Sequence, residues 1–214
     1  LDITAITGQT EKTSLADADK FLISDSAASG ALKYVQKSNL PGGTHVKLLS
    51  GTASAAVNHD FLTFASDTYH TYLIQLSNVE GLQNNTFDFQ FAQSSGPLTG
   101  SNYWDAAHGF RSKGSDRFTQ GGESQAQGRL GHAMQGASDT PSSYSFYMYR
   151  NPNSNNFGSS VSGHAWGYFS SWSDYIHSDF TIGYNASDSV TGFRIHAQGN
   201  DNTTFSYQIY GIAK

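Results

Sequence analysis

Thr86-Phe-Asp-Phe-Gln-Phe91 places an aromatic ring at every second position. That period fits an extended chain with one face buried and does not fit a helix. Phe87, Phe89 and Phe91 are expected to point into a core while Asp88 and Gln90 face water. The same period recurs in Tyr72, Ile74 and Leu76, in Phe193, Ile195 and Ala197, and in Phe205, Tyr207 and Ile209. No stretch holds a helical period beyond about two turns. Further strands are expected at 45–49, 61–64, 145–150, 165–169 and 180–184, with 106–111 and 129–134 in the less legible stretch 94–143. After Ile209, the order Tyr210-Gly211-Ile212 changes phase, which predicts a bulge or a strand end near Gly211.

Many short strands separated by turn residues make the expected fold class all-β: a C-terminal antiparallel β-sandwich, jelly-roll-like, over 44–214. Composition agrees, since only 14% of the residues are charged while Gly (22), Tyr (12) and Phe (14) are abundant. A small N-terminal unit over 1–43 precedes the sandwich, closed by Pro41-Gly42-Gly43. Within it, 3–6 is expected to be extended and 36–40 to form one helical turn. Phe21-Leu22-Ile23 and the stretch holding Leu32, Tyr34 and Val35 read as two arms of a β-hairpin across a turn at 25–30. A lone two-stranded hairpin is marginal in water. Phe21, Leu22, Ile23, Leu32, Tyr34 and Val35 are therefore the expected attachment or assembly contacts.

The net charge of −5 and the scatter of Lys and Arg supply no field for nucleic acid, so no nucleic-acid partner is expected. With no cysteine, disulfides and thiolate metal sites are excluded. No run approaches the roughly 18 apolar residues of a membrane helix, and no membrane insertion is expected.

Thr10-Glu-Lys-Thr13, Ala16-Asp-Ala-Asp19, Phe21-Leu-Ile23, Asp25-Ser26, Leu32-Lys33, Val35 and Ser38-Asn-Leu40 stand in an ordered series. That series resembles a short module common in tail-fibre and related structural proteins of tailed bacteriophages. Ser50-Gly-Thr-Ala-Ser54, 69–72, 76–78, Gly100-Ser-Asn-Tyr103, Val190-Thr-Gly-Phe193, Gly199-Asn200 and Tyr210-Gly-Ile212 resemble a β-sandwich at the C-terminal end of phage fibre and prophage proteins. The sequence departs from that pattern at Gln93-Ser-Ser-Gly-Pro97, where the family often has a Gly-Gly-Ser loop, and matches weakly over 114–144. The resemblance implies a virion structural protein, extracellular in the free particle. It implies a homotrimeric tail fibre, with tail or capsid proteins and a host surface glycan as further partners. A capsid decoration or tail-adaptor protein without a receptor is the alternative it leaves open.

Eight histidines, at 45, 59, 70, 108, 132, 164, 177 and 196, include no His-x-His or His-x-x-x-His pair and no acidic partner at ligand spacing. No metal and no cofactor is expected. No Gly-x-Ser-x-Gly marks a nucleophile, and the expectation is a binding protein rather than an enzyme. A glycan depolymerase would draw its carboxylates from Asp105, Asp116, Glu123 and Asp174. Aromatic residues are the stronger lead. Tyr103-Trp104 lies in a turn-rich stretch, and 166–175 is dense in rings, with Trp166, Trp172 and Tyr175 beside Asp174. Either these rings fill the core or a trimer interface, or they stack on the C–H faces of sugars while Asp174 bonds hydroxyls. Trp172 and Tyr175 are expected to be the most exposed.

Overall fold

The computed structural model describes residues 20–25, 31–36, 45–113, 117–132, 134–135, 141–150, 158–170 and 173–212. The chain divides into two compact units, Leu1–Gly43 and Thr44–Lys214. In chain order the strands are β1 Lys20–Asp25, β2 Ala31–Gln36, β3 His45–Ala56, β4 Asn58–Phe61, β5 Thr71–Glu80, β6 Gln83–Asn85, β7 Phe87–Gln93, β8 Gly96–Pro97 and β9 Tyr103–Arg111. They continue as β10 Arg117–Gln125, β11 Gly128–Arg129, β12 Met134–Gln135, β13 Ser142–Tyr149, β14 Ser160–Phe169, β15 Asp174–Tyr184, β16 Gly192–Ala197 and β17 Thr203–Ile212.

In the first unit β1 and β2 pair antiparallel, from Lys20 opposite Gln36 to Asp25 opposite Ala31. Tyr34 is 62% exposed, and the Lys20 ammonium sits 4.4 Å above its ring, a contact available to an exposed cation and aromatic. The side chains of Phe21, Leu22, Ile23, Leu32 and Val35 lie outside the described residues, as do 3–6 and 37–40; Gln36 belongs to β2.

The second unit is an antiparallel β-sandwich. Its large sheet runs β10-β9-β15-β14-β13-β5-β17-β3, with β6 and β12 attached beside β14, and its small sheet runs β11-β7-β16-β4 with β8 beside β7. Alternation drives the two layers together. Phe87, Phe89, Phe91, Phe193 and Ile195 from the small sheet meet Ile74, Leu76, Phe146, Ile182 and Phe205 from the large one, all buried. Ring pairs tie the layers: Phe87–Phe205 at 5.7 Å, Phe89–Phe146 at 6.1 Å and Phe91–Tyr184 at 5.6 Å between centroids. Each such ring removes enough apolar surface from water to contribute about 1.5–3 kcal/mol.

Several expectations need correction. Asp88 and Gln90 do not face water; both are buried. The connection between β10 and β11 lies over that side of β7: Gln127 Nε2 donates to Asp88 Oδ2 at 2.5 Å, and Gln90 Nε2 donates to the Ala126 carbonyl at 3.1 Å. The strand expected at 61–64 ends at Phe61, while Phe64 leaves the sheet to pack edge-on against Tyr72 and Phe193. The stretch 129–134 is two separate bridges, β11 and β12. Strand β10 was not anticipated, because Arg117–Gln125 has no apolar alternation; pairing with β9 at the sheet edge makes it a strand.

Near Gly211 strand β17 keeps its register with β5, from Ile209 opposite Ile74 to Ile212 opposite Thr71. The irregularity belongs to β3, where Tyr210 pairs Lys47 directly after Ile209 pairs Leu49. Gly211 stays on the inward face because the Tyr69 ring fills the space a side chain would need: a Cβ there would stand 2.6 Å from Tyr69 Cγ. Gly211→Val is expected to lower stability by about 1–3 kcal/mol through this overpacking, measured by urea denaturation against wild type.

Candidate functional site

The outer face of the large sheet carries the exposed rings. Register places Trp166 opposite His177 and His177 opposite Phe110, so these three form one row across β14, β15 and β9. Trp166 is 46% and Tyr175 39% exposed, yet their rings stack at 4.9 Å with planes 10° apart. Tyr168 meets Tyr175 edge-on at 5.4 Å. Tyr175 is thus held between two rings, and Trp166 is braced from one side. An offset stack of this kind contributes about 0.5–1.5 kcal/mol beyond the area it buries, so Trp166 is fixed before any ligand arrives.

Asp174 is not a ligand contact. Its side chain is fully buried beneath the start of β15. Its carboxylate accepts from the Ser112 hydroxyl, the Lys113 amide at 2.9 Å and the Tyr175 amide at 2.8 Å, with Arg111 Nε at 3.6 Å. Burial alone would raise its pKa, but these donors outweigh it and hold the group below the usual carboxylate range. Asp174 anchors the chain between the end of β9 and the start of β15, and thereby sets the position of Tyr175.

Tyr103 and Trp104 part company for a geometric reason: neighbours in a strand point to opposite faces. Tyr103 is fully buried, donating to the Leu98 carbonyl at 2.9 Å and accepting from the Phe91 amide at 2.9 Å. Burial pushes its phenol pKa upward. It is a core residue, not a sugar platform. Trp104 is 52% exposed and borders two grooves. One of about 420 Å³ is lined by Trp104, Asp105, Ala106, Gly122, Glu123, Thr181 and Gly183. The other, of about 330 Å³, adds Ser159, Ser160 and Asn185. Gly183 keeps the floor low beside the indole, with no atom within 4 Å of where its Cβ would be. Trp104 precedes Phe110 by six residues on β9, so it lies about 20 Å along the strand from the Trp166 row.

Between the two rings lies a group that the sequence reading missed. His108 Nε2 stands 3.6 Å from Asp179 Oδ2, His177 Nε2 stands 3.8 Å from Asp179 Oδ1, and the His164 ring stacks on His177 at 5.8 Å. The spacing of two in His177-Ser-Asp179 was a legible signal, because it puts both side chains on one face. His108 reaches them only through the β9–β15 register. Among the described residues no three His, Asp or Glu side chains are placed to hold a metal ion. These imidazoles and the carboxylate instead offer hydrogen-bond donors and acceptors at the surface. His59, by contrast, is buried, paired with Thr203 Oγ1 at 2.9 Å and packed on Phe205; burial lowers its pKa.

Of the carboxylates considered for glycan cleavage, Asp116 lies outside the described residues, and Glu123 is exposed on the rim of the Trp104 groove. Asp105 is buried on the inward side of β9. With Asp88, Arg129, Gln125, Gln127 and Gln198 it lines a polar cleft of about 160 Å³ at the seam of the two sheets. Its pKa is raised by burial, against the pull of Arg129. Trp172 lies outside the described residues.

Comparison with protein-family models, curated proteins and solved structures finds no match to this chain.

Proposed function

We propose that this chain is a virion attachment protein of the tailed-phage fibre type. Residues 1–43 join it to the particle or to its own copies in a homotrimer, and the sandwich presents the outer face of its large sheet to a host surface glycan. The observation that carries this reading is the exposed Trp166 ring, braced by Tyr175, which Tyr168 holds in turn. A ring held in place gives up little conformational freedom on stacking against a sugar, which lowers the cost of binding. The Phe110 ring in the same row and the imidazoles nearby extend the contact. Each copy needs only weak affinity, because three copies on several fibres multiply it by avidity.

One observation favours self-association of the sandwich as well. Edge strand β3 is exposed along most of its twelve residues, with Val46 and Leu49 each 37% exposed. A long edge with apolar side chains is normally covered. If the whole outer face serves that purpose instead, the protein is a capsid decoration or tail adaptor. Trp166→Ala distinguishes the two. Under the attachment reading it weakens adsorption by about tenfold or more, the scale of about 1.4 kcal/mol lost at one aromatic contact, while the trimer mass in light scattering is unchanged. A variant that dissociates or assembles poorly, with adsorption per assembled particle intact, favours the adaptor.

A further inference from the structure

Resting on the glycan reading above, the geometry points to the class of ligand: a linear polysaccharide without acidic sugars, bound along the strands through several consecutive residues rather than by its terminal sugar. Two aromatic stations carry this. Trp104 stands at one end of β9 beside its two grooves, and the Phe110–His177–Trp166 row stands at the other. They share one face and are separated by about 20 Å of strand, farther than one sugar ring reaches. The outward positions between them are Ala106 and His108 on β9, Thr181 and Asp179 on β15, and Ser162 and His164 on β14, so the floor is low beside Trp104 and lined with imidazole and carboxylate nearer the Trp166 row. A third depression, of about 300 Å³, opens beside the Trp166 row between Ser143, Ser145, His164, Gln75 and Gln208. An extended chain can therefore lie across the face without meeting a wall, stack at each station and exchange hydrogen bonds with imidazole, hydroxyl and amide groups between them.

Charge decides which polymer. Midway along the track stands the Asp179 carboxylate with His108 and His177 beside it, and the Glu123 carboxylate stands on the rim at Trp104. Arg117, at the margin, lies 5.5 Å from the Phe110 ring. Carboxylates on the path repel uronic and sialic acids and accept hydrogen bonds from hydroxyls. The complement is an uncharged, hydroxyl-rich chain.

The test uses the full chain and a panel of linear oligosaccharides, each as the disaccharide and the hexasaccharide: neutral glucans, mannans and galactans, and uronate-containing alginate fragments. For the best neutral ligand, the hexasaccharide is expected to bind at least tenfold tighter than the disaccharide. Trp104→Ala should reduce hexasaccharide affinity to near that of the disaccharide, with an unchanged circular dichroism spectrum because the ring is exposed. Equal affinity for both lengths, or tighter binding of alginate than of any neutral chain, overturns this inference and leaves glycan attachment standing. Failure of every member of the panel to bind overturns both.

Discussion

Replacing Phe193 by Ala is expected to destabilise the sandwich by about 3–5 kcal/mol, the range for deleting a fully buried ring from a packed core. Phe193 has no exposed surface and touches rings from both layers and from the connection between them. It stacks on Phe89 at 5.3 Å, meets Phe61 at 4.9 Å and Phe64 at 5.5 Å, and reaches Phe146 across the core at 6.2 Å. Its backbone pairs with both neighbours in the small sheet, Phe61 and Phe91. The neighbours cannot close the void without moving strands, so most of the cavity cost remains. Urea unfolding followed by tryptophan fluorescence measures the loss. A change below about 1 kcal/mol would mean that the two sheets do not meet at this ring.

Asp88→Asn is expected to stabilise the protein at pH 7.5 by up to about 3 kcal/mol and to do much less at pH 4. Burial pushes the Asp88 carboxyl to about 6, opposed by the hydrogen bond from Gln198 and by Arg129 and reinforced by Asp105. A pKa raised in the folded state means that the native protein holds this proton more tightly than the unfolded chain does. The contribution is fully present below the ordinary carboxylate pKa near 4 and is lost as pH rises through about 6; two pKa units correspond to about 3 kcal/mol. The Gln198 Nε2 donor, 2.7 Å from Asp88 Oδ1, retains an oxygen acceptor in the Asn variant, while Gln127, which donates to Oδ2, must turn its amide to accept from the new Asn N–H through Oε1. Asp60 and Asp174, whose pKa values are lowered, change stability in the opposite direction with pH. The difference between wild type and variant cancels them. A variant with the same stability increment at both pH values would show that Asp88 carries its charge at no cost.

Much of the outer face was legible in the alternation of single strands. In β13, Tyr144, Phe146 and Met148 are buried while Ser143, Ser145, Tyr147 and Tyr149 point outward, as a period of two requires. The same rule, applied to the pair Tyr103-Trp104, would have separated a core residue from a surface one. It could not reveal that Asp88 is covered, because the cover comes from Gln127 and Gln198, 39 and 110 residues away in the chain.

Sequence by itself determined the fold class, because side-chain period is a local property of the backbone and survives whatever the strand packs against. Only the tertiary structure decided which outward residues become neighbours. Trp166, His177 and Phe110 come from three strands, and His108 meets Asp179 across the same β9–β15 boundary that brings Phe110 to His177; each pairing depends on strand order and register. Register is set by long-range pairing and by turn geometry, and a slip of one residue would send every ring on that strand to the opposite face.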